Sequence, residues 1–571
     1  MERERFFELV DEANVLRNVG AADLPVLSNR GLAFGATGEA DIEGKTIRFC
    51  IAATRTFPNE HPAIFCLNHE EFETIPHVEE DGLICYVQED AIVLDIDNAV
   101  GIIKECFEIA VSTLRDGILK RNQDDFYNEF EAYWKRQNKI TPVLVAIATG
   151  PTVKTINYLK LPNKDILLAW SEDEDGRKVF ERLTSNEKKT PNAYHGVFIP
   201  LEQGSKIFIP SSQIELTTSR LRQIVWDHLS LENQRRLKTL LASAKREDLL
   251  IFSLPQPNGY YSLFGVRIKN IGFAKHPLLS ADAKVELVPL AVCRLDTEYM
   301  LTRGGTGQKY LRKKVLVVGG GSVGGHVCDE LIKAALLNVD VIDKDILHPD
   351  NCYRHVCGFT NVFMNKAKAI KKKLESFYPH ATVQAIDTSV ETALEKGTIN
   401  LKDYDAIIVA TGNGTLNQYL NRLFRSEIPG VPVLYAWLDP FGIGGHCLVA
   451  NITTHGCFQC LYANEDLHNS ASFAGNTQPK SFSKNISGCG TAYVPYGSLD
   501  AVQTALLSVR QLLNILNGQL KQNVVYSWKG SADLFLAEGY ELSPRYLQST
   551  EQLDQVKHLF YQSNCNICGA R

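Results

Sequence analysis

A glycine-rich turn between an apolar run and a helical run constrains the fold of this 571-residue chain most strongly. The run Val315-Leu-Val-Val-Gly319-Gly-Gly321-Ser-Val-Gly324 sets the spacing G-x-G-x-x-G directly after a predicted buried strand and at the start of a predicted helix. Glycines there let the main chain approach phosphate, and the first turn of the helix supplies N–H donors. Asp343 follows nineteen residues after Gly324, at the end of the next predicted strand, where a carboxylate can hold ribose hydroxyls. The turn therefore predicts a nucleotide site, with a purely structural glycine turn as the alternative.

Predicted strands alternate with predicted helices around this turn. The strands cover Lys314–Gly319, Asn338–Ile342, Ala406–Ala410 and Val431–Ala436. Such alternation is typical of a parallel sheet that is covered by helices on both faces. We therefore expect an α/β domain over residues 299–571.

Charged residues downstream of the turn distinguish between classes of nucleotide. Asp343-Lys-Asp345 leads into Asn351-Cys-Tyr-Arg354, and Lys366 follows. A dinucleotide pyrophosphate needs little beyond the glycine turn, whereas a triphosphate that releases pyrophosphate needs its extra charge neutralised. Arg354 and Lys366 are suited to that task, so ATP is favoured. An NAD-dependent oxidoreductase remains an alternative.

Taken together, these motifs resemble the adenylation domain of ubiquitin-activating enzymes and of the bacterial ThiF/MoeB proteins, over about Tyr310 to Arg571. The resemblance implies ATP and Mg²⁺ as cofactors, and a homodimer in which Arg303 or Arg312 reaches the partner's site. It also implies that the aspartate binds ribose and that the asparagine, arginine and lysine contact the phosphates. The nucleotide-binding residues it implies are Gly319, Gly321, Gly324, Asp343, Asp345, Asn351, Arg354 and Lys366, of which Arg354 and Lys366 are also expected to be catalytic.

One position departs from the pattern of that family. Where the family has Thr-Asp-Asn after the third strand, with its aspartate on magnesium, this chain has Thr411-Gly412-Asn413. Magnesium would then be held by Asp345, by Asp439 or by the phosphates alone. We expect the site to be catalytically active, because the other phosphate-binding residues are present. An inactive scaffold is the alternative.

Five of the fourteen cysteines stand in patterns that indicate chemistry. Cys457-Phe-Gln-Cys460 and Cys565-Asn-Ile-Cys568 can each give two thiolates to a tetrahedral ion. The ThiF/MoeB family is similar in having one such pair after the central strands and one near the C-terminus, which implies a structural zinc. Cys489 lies between glycines before the helical run Ser498–Leu516, and the family's crossing loop implies that it accepts the acyl group.

The N-terminal part resembles the ubiquitin-conjugating fold over roughly residues 1–135. Thr56-Phe-Pro58-Asn-Glu-His61-Pro62 approaches a strand, and His77 opens a loop that ends in Gly82-Leu-Ile-Cys85. The resemblance implies that Cys85 carries a thioester. The usual His-Pro-Asn reads His77-Val78-Glu79 here, so another group must stabilise the oxyanion.

Three domains are expected from the length: 1–138 (small α+β, ubiquitin-conjugating-like), 139–298 (α+β, connecting) and 299–571 (adenylation). In the first we predict a helix around Phe6–Leu16, strands Thr46–Ala53 and Ala63–Leu67, and a long helical stretch from Asn98 to Trp134. In the second we predict strands Pro142–Ala148, Asp165–Trp170, Val197–Pro200 and Lys206–Pro210 and a helical segment Thr217–Lys245. The charged segment Ser171–Lys189 is interpreted as a solvated loop.

Composition excludes several function classes. The net charge of −6 gives no general affinity for nucleic acid or an anionic membrane. No stretch approaches the roughly 18 apolar residues of a membrane span, and the acidic start does not resemble a signal peptide. We therefore expect a cytoplasmic protein whose cysteines do not form disulfides.

The order of the three domains resembles that of the fusion proteins of bacterial antiphage operons of the CBASS type. That resemblance implies ATP-dependent activation of a protein C-terminus, passage through Cys489 and Cys85, and conjugation to a target amine. Its implied partner is a cGAS-like nucleotidyltransferase, whose C-terminus is activated. A sulfur-carrier adenylyltransferase of the ThiF/MoeB type is the alternative, and it would leave the N-terminal domain unexplained.

Overall fold

The structure is a computed structural model that describes residues 2–22, 24–87, 92–137, 139–161, 165–184, 193–207, 215–242, 246–271, 275–280, 285–305, 307–462, 468–475, 482–485 and 492–569. Its α-helices are α1 Arg3–Ala13, α2 Pro25–Asn29, α3 Ala99–Ile118, α4 Asp125–Asn128, α5 Phe130–Trp134, α6 Glu174–Thr184, α7 Thr218–Asp227, α8 Leu231–Leu240, α9 Thr297–Arg303, α10 Ser322–Lys333, α11 Lys366–Phe377, α12 Val390–Glu395, α13 Gly414–Glu427, α14 Ser498–Leu516, α15 Asp533–Ala537, α16 Pro544–Leu547 and α17 Thr550–Gln555. Its strands are β1 Arg17–Ala21, β2 Phe34–Ile42, β3 Lys45–Ala53, β4 Ala63–Cys66, β5 Thr141–Ala146, β6 Lys154–Lys160, β7 Leu167–Trp170, β8 Tyr194–Pro200, β9 Asp248–Pro255, β10 Tyr261–Lys269, β11 Glu286–Arg294, β12 Lys314–Val318, β13 Asn338–Ile342, β14 Thr382–Ile386, β15 Ala406–Val409, β16 Val433–Leu438, β17 Gly444–Ala450, β18 Lys484–Asn485, β19 Ala492–Tyr493 and β20 Val524–Lys529.

The chain forms two compact units. The first comprises Met1–Val145, Thr149–Ser171 and Pro191–Arg294, and the second comprises Ala146–Ala148, Glu172–Thr190 and Leu295–Arg571. Each unit has its own sheets and its own buried core.

The first unit begins with a four-stranded antiparallel sheet in the order β1-β2-β3-β4. In α1, Phe6, Leu9, Val10 and Ala13 follow the spacing of one helix face, and all four are buried. The ring of Phe49 on β3 meets that of Phe107 on α3 at 5.0 Å between centroids. The predicted first helix and the two predicted strands of this region are therefore confirmed.

The long helical stretch predicted from Asn98 to Trp134 is wrong as one element, because it divides into α3, α4 and α5. Lys120 takes the left-handed conformation with φ 57°, which ends α3. Beyond this break the apolar side chains serve a different core: Phe130 and Trp134 are buried beside Phe264 of β10.

A closed barrel follows in the same unit, with the strand order β10-β11-β5-β7-β6-β8-β9. Stacked rings of Phe252 and Phe264, 4.7 Å apart, lie in its core. Three of the strands predicted for this region are confirmed, while the predicted strand Lys206–Pro210 falls mostly outside the described residues. The predicted helical segment Thr217–Lys245 is two helices, α7 and α8, since Ser230 caps the second one through its side chain.

The interpretation of Ser171–Lys189 as a solvated loop is wrong for its central part, which is α6. Glu174 and Lys178 form an ion pair one turn apart, and Val179 is buried. Arg182 donates hydrogen bonds to the main-chain oxygens of Tyr378 and Ala381, so α6 packs within the second unit, to which it belongs.

The second unit is built on a seven-stranded sheet in the order β14-β13-β12-β15-β16-β17-β20. The first five strands are parallel, and β17 and β20 are antiparallel to their neighbours. All four predicted strands are present, which confirms the predicted α/β sheet. The helix α10 begins directly after β12, so the glycine turn lies at the carboxyl end of a central strand, where such sheets bind ligands.

Among the described residues, no helix combines the length and the apolar character that crossing a bilayer requires.

Candidate active site

The glycine turn is fixed by main-chain sterics. Gly319 has φ 96°, in the region that favours glycine. A Cβ on Gly324 would lie 1.8 Å from the carbonyl oxygen of Gly319, so no side chain fits there. A Cβ on Gly321 would meet nothing within 4 Å, which leaves open space in front of the helix N-terminus. Gly319 thus allows the turn, Gly324 allows close packing of the helix against it, and Gly321 leaves room for a ligand.

Asp343 lies directly against this turn. Its carboxylate accepts hydrogen bonds from the N–H groups of Gly320 at 2.7 Å and Asp345 at 2.8 Å. Burial raises the pKa of this carboxyl above its ordinary value. The residue predicted to hold ribose therefore also anchors the turn before any ligand arrives.

His355 supports the same turn from the other side, a role that the sequence analysis did not predict. Its Nδ1 accepts from the N–H of Cys357 at 3.0 Å, so Nε2 carries the proton and donates to the carbonyl oxygen of Gly320 at 2.7 Å. Burial lowers the pKa of His355 to about 4, which keeps the ring neutral at physiological pH. A histidine next to a predicted phosphate-binding arginine was the only signal for it.

A cavity of about 1200 Å³ opens in front of the turn. It is lined by Gly321, Ser322, Val323, His348, Asp350, Arg354, Ala410, Thr411, Gly412, Gly414, Asn417, Ala436, Trp437, Leu438, Phe458, Tyr462, Asn469, Tyr493, Val494 and Tyr496. The guanidinium of Arg354 lies over the ring of Tyr496 at 5.0 Å. Its buried Nε has no hydrogen-bond partner within the described part of the chain. Arg354 thus places a cation in the lining of the cavity in which a phosphate group would lie.

Of the predicted nucleotide contacts, Asn351 and Lys366 are engaged elsewhere in this structure. The side chain of Asn351 accepts from the N–H of His348 at 3.1 Å and so closes a short turn. Lys366 forms an ion pair with Asp345 at 3.2 Å. Neither Asn351 nor Lys366 lines the cavity. Their predicted contact with phosphates stays a prediction.

Of the two carboxylates considered for magnesium, Asp439 is already fully occupied. It is 4% exposed and accepts from His446 Nε2 at 2.9 Å, from Ser472 Oγ at 2.8 Å and from the N–H of Phe473 at 2.6 Å. The carboxylate of Asp345 is 57% exposed. Asp345, which pairs with Lys366, is therefore the more accessible of the two, and its carboxylate oxygens are of the kind that Mg²⁺ binds.

The four cysteines of the two CxxC pairs come together as predicted. Their sulfurs lie within 4.8 Å of one another, with Cys457 3.8 Å from Cys565 and Cys460 3.3 Å from Cys568. Tetrahedral zinc with Zn–S bonds of about 2.3 Å requires sulfurs about 3.8 Å apart. All four residues are buried, so the cluster is compatible with a closed structural zinc site.

Cys489 lies outside the described residues. The described strands on either side of it, β18 and β19, pair with each other in antiparallel fashion. Tyr493, four residues after Cys489 in the sequence, lines the nucleotide cavity.

Cys85 lies in the first unit on a tight loop that follows β4. Its N–H donates to the carbonyl oxygen of His77 at 2.7 Å, and Val78 pairs with Ile84 in an isolated bridge. Gly82, with φ 87°, closes the loop, because a Cβ there would lie 2.4 Å from the oxygen of Cys66. The residue is exposed, as a thioester carrier requires.

Charged side chains surround this thiol, and most of them were not predicted. Desolvation and the carboxylate of Glu79 raise the pKa of Cys85 to about 11; Glu129 adds to this effect, while Arg136 opposes it. No residue of the described loop replaces the asparagine of His-Pro-Asn by an amide. Arg136, whose guanidinium stacks on Tyr133 at 4.5 Å, is the cation near the sulfur.

Comparison with known proteins finds two family matches in the chain. Residues 296–527 match the ThiF family, and residues 33–143 match the family described as Prokaryotic E2 family B. The chain is 25% identical to an ATP-dependent ubiquitin transferase-like protein Cap2 of Pseudomonas aeruginosa, over 78% of this chain and 80% of that protein. It is 21% identical to a protein of the same name from Escherichia coli, over 86% of each. Among solved structures, E. coli MccB matches with a TM-score of 0.32 and 14% identity, over 46% of this chain and 68% of that one.

The chain is a fusion of an E2-like domain and a ThiF-type, E1-like domain, as its motifs predicted. Its mixed α/β fold class is confirmed. It belongs with enzymes of the adenylyltransferase and conjugating types, for which ATP with Mg²⁺ is the implied nucleotide. The three domain boundaries and the roles of individual site residues remain predictions.

Proposed function

We propose that this protein activates the C-terminal carboxylate of a partner protein with ATP and conjugates it to a target amine through two cysteine thioesters. One observation carries the proposal: a single chain holds both a glycine-turn cavity with the cation Arg354 and an exposed Cys85 on an E2-type loop. An adenylation domain alone would have no use for the second thiol.

In the first step a carboxylate oxygen of the partner attacks the α-phosphorus of ATP, and the bond to pyrophosphate breaks. Arg354 and Lys366 neutralise the charge of the leaving group, while Asp343 and Asn351 hold ribose and phosphate. The open space at Gly321 admits the phosphates. Magnesium, held by Asp345, would reduce the negative charge of the triphosphate. Zinc on the four cysteines would stabilise the fold and take no part in the reaction.

In the following steps the acyl group moves between thiols. Cys489 attacks the carbonyl carbon of the acyl adenylate and AMP leaves; Cys85 then displaces Cys489, and the target amine displaces Cys85 to form an amide. Each covalent step replaces a difficult reaction by easier ones. Support for Cys489 comes from its position in the sequence shortly before cavity-lining Tyr493.

The activated partner in this proposal is a cGAS-like nucleotidyltransferase, and the acceptor is a lysine or another amine of a cellular target. The setting is antiviral defence of the CBASS type, in the cytoplasm, with this protein acting as a homodimer. The proposal draws on the domain order and on similarity to proteins called ubiquitin transferase-like.

Intact-protein mass spectrometry tests the relay. The protein is incubated with ATP, magnesium and the cGAS-like protein encoded beside it, as wild type, Cys489→Ala and Cys85→Ala. We expect hydroxylamine-sensitive adducts that disappear in Cys489→Ala and remain on Cys489 in Cys85→Ala. Adducts that are indifferent to Cys85 would contradict the second thioester.

The same sample separates the alternatives. A sulfur-carrier adenylyltransferase would give a thiocarboxylate product without any dependence on Cys85. An oxidoreductase would be stabilised against heat by NAD and not by ATP. An inactive scaffold would give no partner-dependent ATP–pyrophosphate exchange.

A further inference from the structure

Glu79 occupies the place at which the ubiquitin-conjugating pattern has an asparagine. A carboxylate cannot donate a hydrogen bond to an oxyanion at neutral pH, so this residue cannot perform the asparagine's task. Its carboxylate nevertheless points at the reacting atom: Oε1 lies 3.5 Å from Sγ of Cys85, which donates to it.

The other oxygen of the same carboxylate is held in place. Arg30 binds Oε2 of Glu79 at 2.5 Å through one guanidinium nitrogen and Asp81 at 2.6 Å through Nε. The side chains of these three residues are about one third exposed, at 32%, 32% and 33%. One carboxylate oxygen is thus fixed by a cation, while its partner oxygen is directed at the thiol.

The loop backbone adds to this orientation. The N–H of Glu79 donates to the oxygen of Leu83 at 2.8 Å, and the N–H of Gly82 donates back to the oxygen of Glu79 at 2.9 Å. Because the main chain is closed on both sides of Glu79, the short distance to Cys85 is set by the fold of the loop.

We propose that Glu79 is a catalytic residue, the proton acceptor for the reactions at Cys85, and that Arg30 positions it. This inference rests on the proposed thioester function of Cys85. When Cys85 attacks an incoming thioester, a C–S bond forms to its sulfur, the bond to the donor sulfur breaks, and the thiol proton passes to Glu79 and then to the departing thiolate. When a neutral target amine attacks, a C–N bond forms and the C–S bond breaks. The proton from nitrogen then goes to Glu79 and on to the sulfur of Cys85.

Five further groups lie near the sulfur of Cys85 or pair with His77. Arg136 and Glu129 act on the thiol from the α5 side, beside the phenol of Tyr133. His77 is paired with Asp125 at 3.0 Å and with Glu129 at 3.5 Å. Glu79 is distinguished from Glu129 because it alone of the two hydrogen-bonds the thiol.

The experiment uses the full-length protein and a peptide with the C-terminal sequence of the cGAS-like partner, carrying a 2-mercaptoethanesulfonate thioester. Transfer from this probe to Cys85 requires neither ATP nor Cys489, and L-lysine serves as the acceptor amine. Wild type, Glu79→Gln, Glu79→Asp and Glu129→Gln are compared in single-turnover measurements at pH 7.5. Glu79→Gln should slow both transfers by about 100-fold, the lower range for general acid–base catalysis. Glu79→Asp should recover part of the rate.

A second measurement, the rate of Cys85 alkylation, should increase in Glu79→Gln while the rate of acyl transfer falls. Alkylation of the Cys85 peptide by iodoacetamide, followed by mass spectrometry, should become about tenfold faster in Glu79→Gln, as one unit of thiol pKa implies. Because a loss of loop structure would also relieve the desolvation of the thiol and speed alkylation, the melting temperature of Glu79→Gln is measured as well and should equal that of the wild type.

Two results would overturn the assignment. Acyl transfer at the wild-type rate in Glu79→Gln would exclude Glu79 as the proton acceptor. Equal slowing in Glu129→Gln would show that the loss of any nearby negative charge has the same effect. A wild-type protein that accepts nothing on Cys85 from the peptide thioester would instead contradict the proposed function itself. In that case the alkylation assay would still report whether Glu79 faces the sulfur.

Discussion

Both candidate sites depart from their family patterns, one at Gly412 and the other at Val78 and Glu79, yet they are constructed differently. The nucleotide turn of the second unit is set by main-chain sterics and buried partners, such as Gly324 and His355. The Cys85 loop of the first unit is set by partly exposed ion pairs around Glu79. Substitutions at the glycine turn should therefore change the stability of the protein. Substitutions around Cys85 should change the rates of acyl transfer and leave stability nearly unaltered.

The four-cysteine cluster provides the strongest contrast with the Cys85 loop. Cys568→Ser should release zinc and lower the free energy of unfolding of the second unit by on the order of 5 kcal/mol, part of the roughly 10–16 kcal/mol found for zinc-finger peptides. Metal analysis and thermal unfolding measure both effects. Cys293→Ser, at an exposed cysteine, is the control and should change neither. Full stability without bound metal in Cys568→Ser would contradict a structural zinc site.

The glycine turn should be nearly as sensitive. Gly324→Ala places a Cβ 1.8 Å from the oxygen of Gly319, so the turn must open. We expect a loss of about 3 kcal/mol in the free energy of unfolding, the upper range for overpacking, together with loss of ATP-induced stabilisation. Gly358→Ala, where nothing lies within 4 Å of the new Cβ, is the matched control. Equal melting temperatures for the two variants would show that the turn tolerates a side chain.

The buried side chain of His355 predicts that the region around the glycine turn loses stability as pH falls. Since burial lowers the pKa of His355 to about 4, from an ordinary value of about 6.5, the unfolded chain binds the extra proton first as pH falls. Stability should therefore fall between pH 6.5 and about 4, by about 3 kcal/mol over the whole window. His355→Gln should flatten this part of the profile, as followed by chemical denaturation at several pH values. A slope unchanged in His355→Gln would assign the acid sensitivity to another group.

The smallest stability effect is expected at Arg30, although its effect on rate is larger. Arg30→Gln removes an ion pair that is one third exposed and should cost about 1 kcal/mol or less. Because Glu79 loses its fixed orientation, acyl transfer to Cys85 should slow by about tenfold. Arg5→Gln removes the surface pair with Glu8 in the same domain and should leave the transfer rate unchanged. Strong destabilisation by Arg30→Gln would remove the contrast between the two regions.

The sequence determined those parts of this protein whose signals are local. The spacing of Gly319, Gly321 and Gly324 identified the turn, because a strand, a tight turn and a helix follow one another along the chain. Short apolar runs predicted the strands of the sheet, and paired CxxC motifs predicted that four thiols would meet. Local pattern also misled: the run from Asn98 to Trp134 has helical spacing throughout, but its last third packs into the barrel.

Only the tertiary structure decided which side chains meet across long separations in the chain. Arg30 stands 49 residues before Glu79, and Arg136 stands 51 residues after Cys85, so no spacing rule connects them. The same is true of Asp439, whose oxygens accept hydrogen bonds from Ser472 and from the N–H of Phe473, 33 and 34 residues further along the chain. Glycine turns and CxxC pairs are formed by residues that are close together in the sequence. The charges that surround a thiol and the hydrogen-bond partners of a carboxylate depend instead on packing between distant segments.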